Sequence, residues 1–144
     1  MDITCEVITD KVEIKNLLDM FIDLLPALQD KMKRVELCEK LFANAKILVI
    51  KHKGNIIGFS SFYANDFQNH IAYLSLIAVS GGVQGKQIGT LLLKKTEKLA
   101  RANKMRYLKL EVRENNTKAT SFYKKNDYQI VEENSHSFYL MKEL

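Results

Sequence analysis

Residues 72–100 read AYLSLIAVSGGVQGKQIGTLLLKKTEKLA, in which alternating apolar residues give way to helical spacing. The turn between the two patterns is rich in glycine, with Gly81, Gly82, Gly85 and Gly89. Glycine lets the backbone approach a ligand closely. The start of a helix offers free N–H groups and the positive end of the helix dipole. This junction therefore predicts an anion site suited to a phosphate or pyrophosphate group.

Outside this junction, strand-like and helix-like patterns of apolar residues succeed one another along the chain. They predict strands over 2–9, 47–53, 56–63, 71–79, 106–113, 128–132 and 136–142, and helices over 11–25, 27–43, 83–102 and 117–125. Gly54-Asn55 marks a hairpin turn, and Asn116 can cap the last helix. The order β-α-α-β-β-β-α-β-α-β-β predicts an α/β fold in one domain spanning residues 1–144. Its mixed central sheet has about six to seven strands, flanked by about four helices.

Composition narrows the class of protein. The 144 residues are 47% hydrophobic and carry a net charge of +5, as in an ordinary globular domain. No apolar run approaches the ~18 residues of a membrane span, the first residues do not resemble a signal peptide, and no Arg-rich tract indicates nucleic-acid binding. Cys5 and Cys38 have neither CxxC nor metal-ligand spacing. We expect a cytoplasmic protein without a metal, membrane or nucleic-acid partner, as a monomer or homodimer.

Two motifs give the chain a resemblance to a known family. Residues 84–89 read QGKQIG, and residues 116–128 read NTKATSFYKKNDY. Both resemble signatures of the GNAT superfamily, the acetyl-coenzyme-A-dependent N-acyltransferases: Gln/Arg-x-x-Gly-x-Gly/Ala and Asn-x-x-Ala-x-x-Phe-Tyr-x-x-x-Gly-Phe. Gln87 and Asp127 stand where these signatures have glycine. The resemblance extends from about Ile3 to the C-terminus and implies a GNAT-like sheet and an acyl-CoA cosubstrate.

The resemblance implies how acetyl-CoA would be bound. Backbone N–H groups of the turn would hold the pyrophosphate, and the pantetheine arm would pair with the strand edge over 76–79. An N–H near Ile77 and Ala78 would polarise the thioester carbonyl. We expect Gln87 not to crowd the pyrophosphate, because the first position of a helix does not need a positive φ. The expected cofactor-binding residues are Ile77, Ala78, Val79, Gln84, Gly85, Lys86, Gln87, Ile88, Gly89, Thr90 and Asn116.

Acetyl transfer to an amine requires a group that takes a proton from nitrogen and one that protonates sulfur. The family often has an acidic residue on the strand before the glycine turn, where this chain has Ser75. Glu111 and His70 are the candidate bases. If its neighbours Leu110 and Val112 face the core, we expect Glu111 to face a helix or the cleft. The family commonly uses the tyrosine of its second motif at the thiolate, and Tyr123 matches it. Tyr123 could instead be a packing residue, and Asn116 is first a helix cap.

Two functions from different classes follow. The leading one is an enzyme that moves an acetyl group from acetyl-CoA to a primary amine by direct attack in a ternary complex, since no nucleophile is placed for an acetyl-enzyme. The sequence does not decide whether the acceptor is a protein, a polyamine, an antibiotic or an amino sugar. The alternative is an acyl-CoA-binding sensor or interaction module without turnover. Ser75 and Gln87, which depart from the family pattern, favour this alternative.

Overall fold

The computed structural model of the chain describes residues 2–83 and 87–144, and its elements follow the predicted order. The strands are β1 (Ile3–Ile8), β2 (Ala45–His52), β3 (Asn55–Tyr63), β4 (Ile71–Val79), β5 (Tyr107–Arg113), β6 (Gln129–Glu133) and β7 (Ser137–Glu143). The helices are α1 (Lys11–Met20), α2 (Lys31–Asn44), α3 (Ile88–Ala102) and α4 (Thr117–Lys125). The expected α/β architecture is confirmed.

The strands form one seven-stranded sheet in the order β1-β2-β3-β4-β5-β7-β6. Neighbouring strands are antiparallel except β4 and β5, which are parallel and are joined through α3. The paired register of β4 and β5 covers only Ile71–Tyr73 of β4 and Tyr107–Lys109 of β5. Beyond Tyr73 and Lys109 the described residues of the two strands are no longer paired, so the sheet opens between its two halves.

The helices cover the sheet unequally on its two faces. On the α1/α2 face, both helices pack on β2 and β3 through Leu17, Phe21, Leu41, Val49 and Phe59. The described core of this face contains no residue of β5, β6 or β7. On the α3/α4 face, the core extends over both halves of the sheet, with Phe62, Leu93, Leu108, Tyr123 and Leu140. No helix among the described residues has the length and apolar composition needed to cross a membrane.

β4 contains a bulge at Ser75. Ser61 of β3 is opposite Leu76, whereas its neighbour Phe62 is opposite Leu74, so Ser75 is the extra residue. A bulge shifts the alternation of side chains by one. Accordingly Leu74 and Ile77 both pack on the α3/α4 face, although they are three positions apart. The bulge therefore sets the direction of the last residues of β4, just where β4 has left β5.

A buried carboxylate joins α3 to the last two strands. Glu97 is 2% exposed and accepts a hydrogen bond of 2.8 Å from the Tyr128 hydroxyl. The Lys142 ammonium donates to both Glu97 oxygens at 3.1 and 3.2 Å. Glu97 and Tyr128 are buried and the Lys142 side chain is only 14% exposed. Removal of the Glu97 carboxylate would therefore leave both of the other groups without this partner. This network holds the C-terminal half of the sheet against α3.

The predicted ends of three helices are wrong. α1 ends at Met20 rather than residue 25, and Pro26 begins a separate 3₁₀ turn instead of closing the helix. α2 begins at Lys31 rather than residue 27, because the Asp30 carboxylate accepts the Lys33 N–H at 3.0 Å and caps the helix there. α3 begins at Ile88 rather than residue 83, and Gly81–Val83 forms a 3₁₀ turn of its own.

The buried network predicts a large loss of stability for Glu97→Ala. The substitution leaves the Lys142 ammonium and the Tyr128 hydroxyl without their partner in the interior, so we expect the unfolding free energy to fall by about 3 kcal/mol. Glu6→Ala is the matched control, because the Glu6–Lys51 pair has a similar length of 2.8 Å but Glu6 is 51% exposed. It should cost about 1 kcal/mol or less. Urea denaturation measures both; equal losses would contradict the assignment.

Candidate active site

A cleft of about 540 Å³ lies where β4 separates from β5. One wall is the end of β4, another is the start of α3, and a third is α4. The lining residues are Leu24, Leu25, Ile77, Ala78, Val79, Gln87, Gly89, Thr90, Asn116, Lys118, Ala119, Phe122 and Tyr123. The parts of the two motifs that the structure describes thus meet in one cavity, although Gln87 and Asn116 are 29 positions apart in the chain.

Most of the residues expected at the cofactor line this cleft. Ile77, Ala78 and Val79 are at the end of β4; Gln87, Gly89 and Thr90 are at the start of α3; and Asn116 and Tyr123 come from α4 and its cap. The side chain of Ile88 is instead buried in the core, 4% exposed, so only its backbone is available to a ligand. Gln84, Gly85 and Lys86 lie outside the described residues.

Five lining positions were missed from sequence: Leu24, Leu25, Lys118, Ala119 and Phe122. They were missed for two different reasons. Leu24 and Leu25 come from the loop after α1, which the helical spacing of their neighbours had assigned to a helix. Lys118 and Phe122 lie on α4 beside Asn116 and Tyr123. The i, i+4 relation of Lys118 to Phe122 puts them on one helix face, and that spacing could have identified both.

Gln87 has a left-handed backbone, with φ 61° and ψ 17°. It is the N-cap of α3: the Leu91 N–H donates to its carbonyl at 3.1 Å, and its side chain forms no capping bond. The expectation that this position needs no positive φ is therefore wrong. A left-handed conformation costs a non-glycine residue free energy, which is a physical reason for the glycine in the family signature. The same reason applies at Asp127, where φ is 73°.

Tyr123 is buried between two aromatic rings. Its ring contacts Phe122 and Tyr128 edge to face, with centroids 5.1 and 5.5 Å apart. Burial raises the pKa of the Tyr123 hydroxyl well above its usual value, so the phenol stays protonated at neutral pH. Among the described residues no group forms a hydrogen bond with this hydroxyl, so its proton is available to a ligand. Asn116 positions α4 by accepting the Ala119 N–H at 3.1 Å.

Glu111 does not line the cleft. It is exposed on the middle of β5, opposite Tyr139 of β7, on the face that α1 and α2 leave uncovered. Glu111 follows Lys109, the last residue of β5 that pairs with β4, by two positions, so it lies at the opening of the sheet. Burial raises the pKa of Tyr73, and the Glu111 carboxylate adds to that rise. Because α1 and α2 do not extend this far, the expectation that Glu111 faces a helix or the cleft is wrong.

His70 is remote from the cleft. It precedes the first residue of β4, whereas the cleft is lined by the last residues of that strand. Its Nδ1 lies 3.1 Å from the Lys104 carbonyl, so the ring is held at the opposite end of the strand. Ser75 lies at the bulge, between Tyr73 and Ile77. Of the two candidate bases, only Glu111 is near the opening between β4 and β5.

The sequence profile of the acetyltransferase (GNAT) family matches residues 14–128. The chain belongs to the GNAT family of acetyltransferases. No curated protein sequence is matched by the chain. The matched region contains β2 to β5 with α3 and α4, and thus every lining residue of the cleft.

Solved GNAT structures share the fold over the whole chain. An acetyltransferase of the family from Elizabethkingia anophelis, with acetyl-CoA bound, is 23% identical with a TM-score of 0.80, covering 99% of each chain. The IAA acetyltransferase from Bacillus cereus is 20% identical with a TM-score of 0.77, covering 99% of this chain and 100% of the other. PaiA N-acetyltransferase from Thermoplasma acidophilum, in complex with coenzyme A, is 17% identical with a TM-score of 0.76, covering 98% and 99%.

The left-handed conformation of Gln87 predicts that Gln87→Gly stabilises the protein. Relief of about 1–2 kcal/mol of backbone strain exceeds the entropic penalty of about 0.5–1 kcal/mol for glycine, so the unfolding free energy should rise by about 0.5–1 kcal/mol. Lys95→Gly is the control, because Lys95 is exposed inside α3; it should lose about 1 kcal/mol. Chemical denaturation compares the two. If Gln87→Gly lowers the unfolding free energy as much as Lys95→Gly does, Gln87 carries no backbone strain.

Proposed function

We propose that this protein is an N-acetyltransferase that moves an acetyl group from acetyl-CoA to a primary amine. The observation that supports this most is the single cleft lined by the end of β4, the start of α3 and Tyr123. A strand edge, a helix N-terminus and a protonated phenol are the groups that a thioester with a pyrophosphate requires. Two of the GNAT structures above were solved with acetyl-CoA or coenzyme A, which agrees with this proposal.

The proposed cofactor site uses mainly backbone groups. The pyrophosphate binds the N–H groups at the start of α3 and in the turn before it, from Gln84, Gly85 and Lys86 to Thr90. Lys118 supplies a positive charge at the same cleft. The pantetheine amides pair with β4 beyond Tyr73, where β5 has left that edge of the strand. A backbone N–H near Ile77 or Ala78 polarises the thioester carbonyl.

The proposed reaction is direct attack in a ternary complex. The neutral amine attacks the acetyl carbon as its lone pair forms the N–C bond, and the C–S bond breaks with its electron pair going to sulfur. The Tyr123 hydroxyl, which burial keeps protonated and no described group binds, hydrogen-bonds the developing thiolate and gives it a proton. The attacking nitrogen loses its second proton to the phenol oxygen, which restores the hydroxyl. Glu111, close to the opening of the sheet, receives the proton that the ammonium form of the acceptor must lose first.

The rival proposal is an acyl-CoA-binding sensor or interaction module without turnover. Two observations favour it: Ser75 stands where many family members have an acid, and Gln87 carries backbone strain at the cofactor turn. We favour the enzyme, because Glu111 provides a carboxylate near the same opening. The proposal also keeps four expectations from the sequence. The protein is cytoplasmic, it is one domain over 1–144, it is a monomer or homodimer, and it has no nucleic-acid or membrane partner.

Release of free thiol from acetyl-CoA tests the two functions against each other. The amines compared should represent the open acceptor classes: a lysine peptide, a polyamine, an aminoglycoside and an amino sugar. Amine-dependent thiol release, with one acetyl group on the product by mass spectrometry, supports the enzyme. Tight acetyl-CoA binding with no amine-dependent release would establish the sensor instead.

Gly89→Glu should weaken acetyl-CoA binding through its charge. A Cβ at Gly89 would make ordinary contacts, 3.7 Å from Phe122 and 4.0 Å from Val79, so the helix can accept a side chain there. A carboxylate at an anion site repels the pyrophosphate, and we expect at least about tenfold weaker binding than for Gly89→Gln, which has the same shape. Calorimetric titration of both folded variants measures the difference. Equal acetyl-CoA affinities of the two variants would show that the pyrophosphate does not bind at the start of α3.

Tyr123→Phe should slow turnover and leave acetyl-CoA affinity nearly unchanged. The phenol acts where charge develops only as the thioester breaks, so kcat should fall by about 10²-fold. Tyr128→Phe is the matched control, since it also removes one buried hydroxyl but alters the Glu97 network instead. It should lower the melting temperature and keep kcat within about threefold. A Tyr123→Phe enzyme with wild-type kcat would identify Tyr123 as a packing residue.

A further inference from the structure

Two adjacent serines of β3 are equally buried but differ in their partners. Ser60 and Ser61 are both 0% exposed, and they face opposite sides of the sheet. The Ser60 hydroxyl lies 2.7 Å from the Thr96 hydroxyl, which in turn donates to the Leu92 carbonyl at 2.8 Å. The Ser61 hydroxyl has no hydrogen-bond partner among the described residues. One serine is thus part of the α3 contact, and the other is not explained by packing.

A second buried hydroxyl without a partner lies on the same side of β3. Tyr63 follows Ser61 by two residues, and its hydroxyl oxygen is also buried and outside bonding geometry with the described groups. Burial raises the pKa of Tyr63 and the approach of the Ser75 hydroxyl lowers it, although the two groups do not reach hydrogen-bond geometry. Lys40 of α2 covers the ring, with its Nζ 5.5 Å from the centroid. The two unpartnered hydroxyls therefore lie under α2, next to the bulge.

The bulge brings a third hydroxyl to this place. Ser61 is opposite Leu76, which directly follows Ser75. A bulged residue is left out of the strand ladder, so the backbone around Ser75 also lacks its regular partner. Hydroxyl groups both donate and accept, and a buried water requires two to four such partners. Unpartnered buried hydroxyls reduce stability, and native proteins retain them where they serve a function.

We propose that Ser61, Tyr63 and Ser75 hold a buried water that relays the acceptor's proton from the cleft toward Glu111. This inference rests on the proposed acetyl transfer. The water would lie beside the bulge on the α1/α2 face, the face from which Leu25 and Ala78 line the cleft. Tyr73 is opposite Tyr63 of β3 and pairs with Lys109 of β5, and Glu111 follows Lys109 by two residues on the same face. Tyr73 therefore lies between the buried hydroxyls and an exposed carboxylate. Ser61 and Tyr63 do not touch the reacting atoms; they hold the water and carry the proton onward from it.

The proton balance of the relay is closed. The ammonium of the acceptor gives one proton to the water, each hydroxyl accepts one proton and passes on another, and the Glu111 carboxylate takes the last and releases it to solvent. The neutral amine then attacks, the sulfur takes the Tyr123 proton, and the second nitrogen proton restores the phenol. The sum is ammonium plus acetyl-CoA giving amide, free thiol and one proton to solvent.

Ser61→Ala and Tyr63→Phe test the relay because each should lower kcat without lowering the melting temperature. Each removes a buried hydroxyl that has no protein partner, so the melting temperature should stay the same or rise. kcat should fall about tenfold, less than for loss of a direct acid or base, while acetyl-CoA affinity stays unchanged. The variants are compared with wild-type protein by calorimetric titration, thermal melting and thiol release with the best amine.

Ser60→Ala is the matched control. It removes the neighbouring hydroxyl, equally buried but bonded to Thr96, so the melting temperature should fall by a few degrees while kcat stays at the wild-type value. A purely structural role of Ser61 predicts the same pattern for Ser61→Ala. That result, a lower melting temperature with wild-type kcat, would overturn the relay.

The solvent isotope effect gives a second readout that packing does not influence. kcat in H₂O divided by kcat in D₂O should differ from the wild-type ratio in Ser61→Ala and Tyr63→Phe, and should match it in Ser60→Ala. Wild-type ratios in all three variants would also overturn the proposal. If the wild-type protein is active and Ser61→Ala has the same kcat and isotope ratio, the relay alone is refuted. If the wild-type protein shows no amine-dependent thiol release, the proposed function is refuted and the relay with it.

Discussion

The short pairing between β4 and β5 is the constraint on which the rest of the site depends. Parallel strands joined through a helix form a ladder here for only three residues on each side, after which the described strands separate. The separation opens the cleft, places the first turn of α3 at its edge, and lets α4 close it from the other half of the sheet. The Ser75 bulge also shapes the cleft, because it changes which way the last residues of β4 face. A fully paired sheet of the same strands would leave no cleft between its two halves.

Backbone conformation explains the two departures from the family motifs better than side-chain chemistry does. Gln87 and Asp127 are far apart in sequence, yet both have φ between 60° and 75° where the family signatures have glycine. Aspartate occupies this region more readily than glutamine does. Asp127 thus ends α4 with little strain, while Gln87 carries strain at the start of α3. The protein retains the turn geometry of the family although it lacks the residue that adopts it most easily.

Sequence reasoning was most accurate where local signals and the motifs agreed. The bounds of β4 and α4, the Asn116 cap and most of the cleft lining were predicted, since alternation, capping and the family resemblance all pointed to the same residues. The start of α3 was missed because a left-handed Gln87 leaves no mark on apolar periodicity. The exposure of Glu111 depends on how far α1 and α2 extend across the sheet, and the unpartnered Ser61 hydroxyl depends on a register shift between two strands. Such long-range features are invisible to local patterns.

The unequal covering of the two faces has a consequence for how such a protein can diversify. On the α3/α4 face one continuous core ties both halves of the sheet together, so a change in volume there is felt on both sides of the opening. On the α1/α2 face the described core ends at β4, and the loop with Leu24 and Leu25 joins the cleft lining from that half alone. Mutations in this loop and in the two helices can therefore accumulate without repacking β5 or β7. The α1/α2 side of the cleft can therefore vary while the α3/α4 side stays the same.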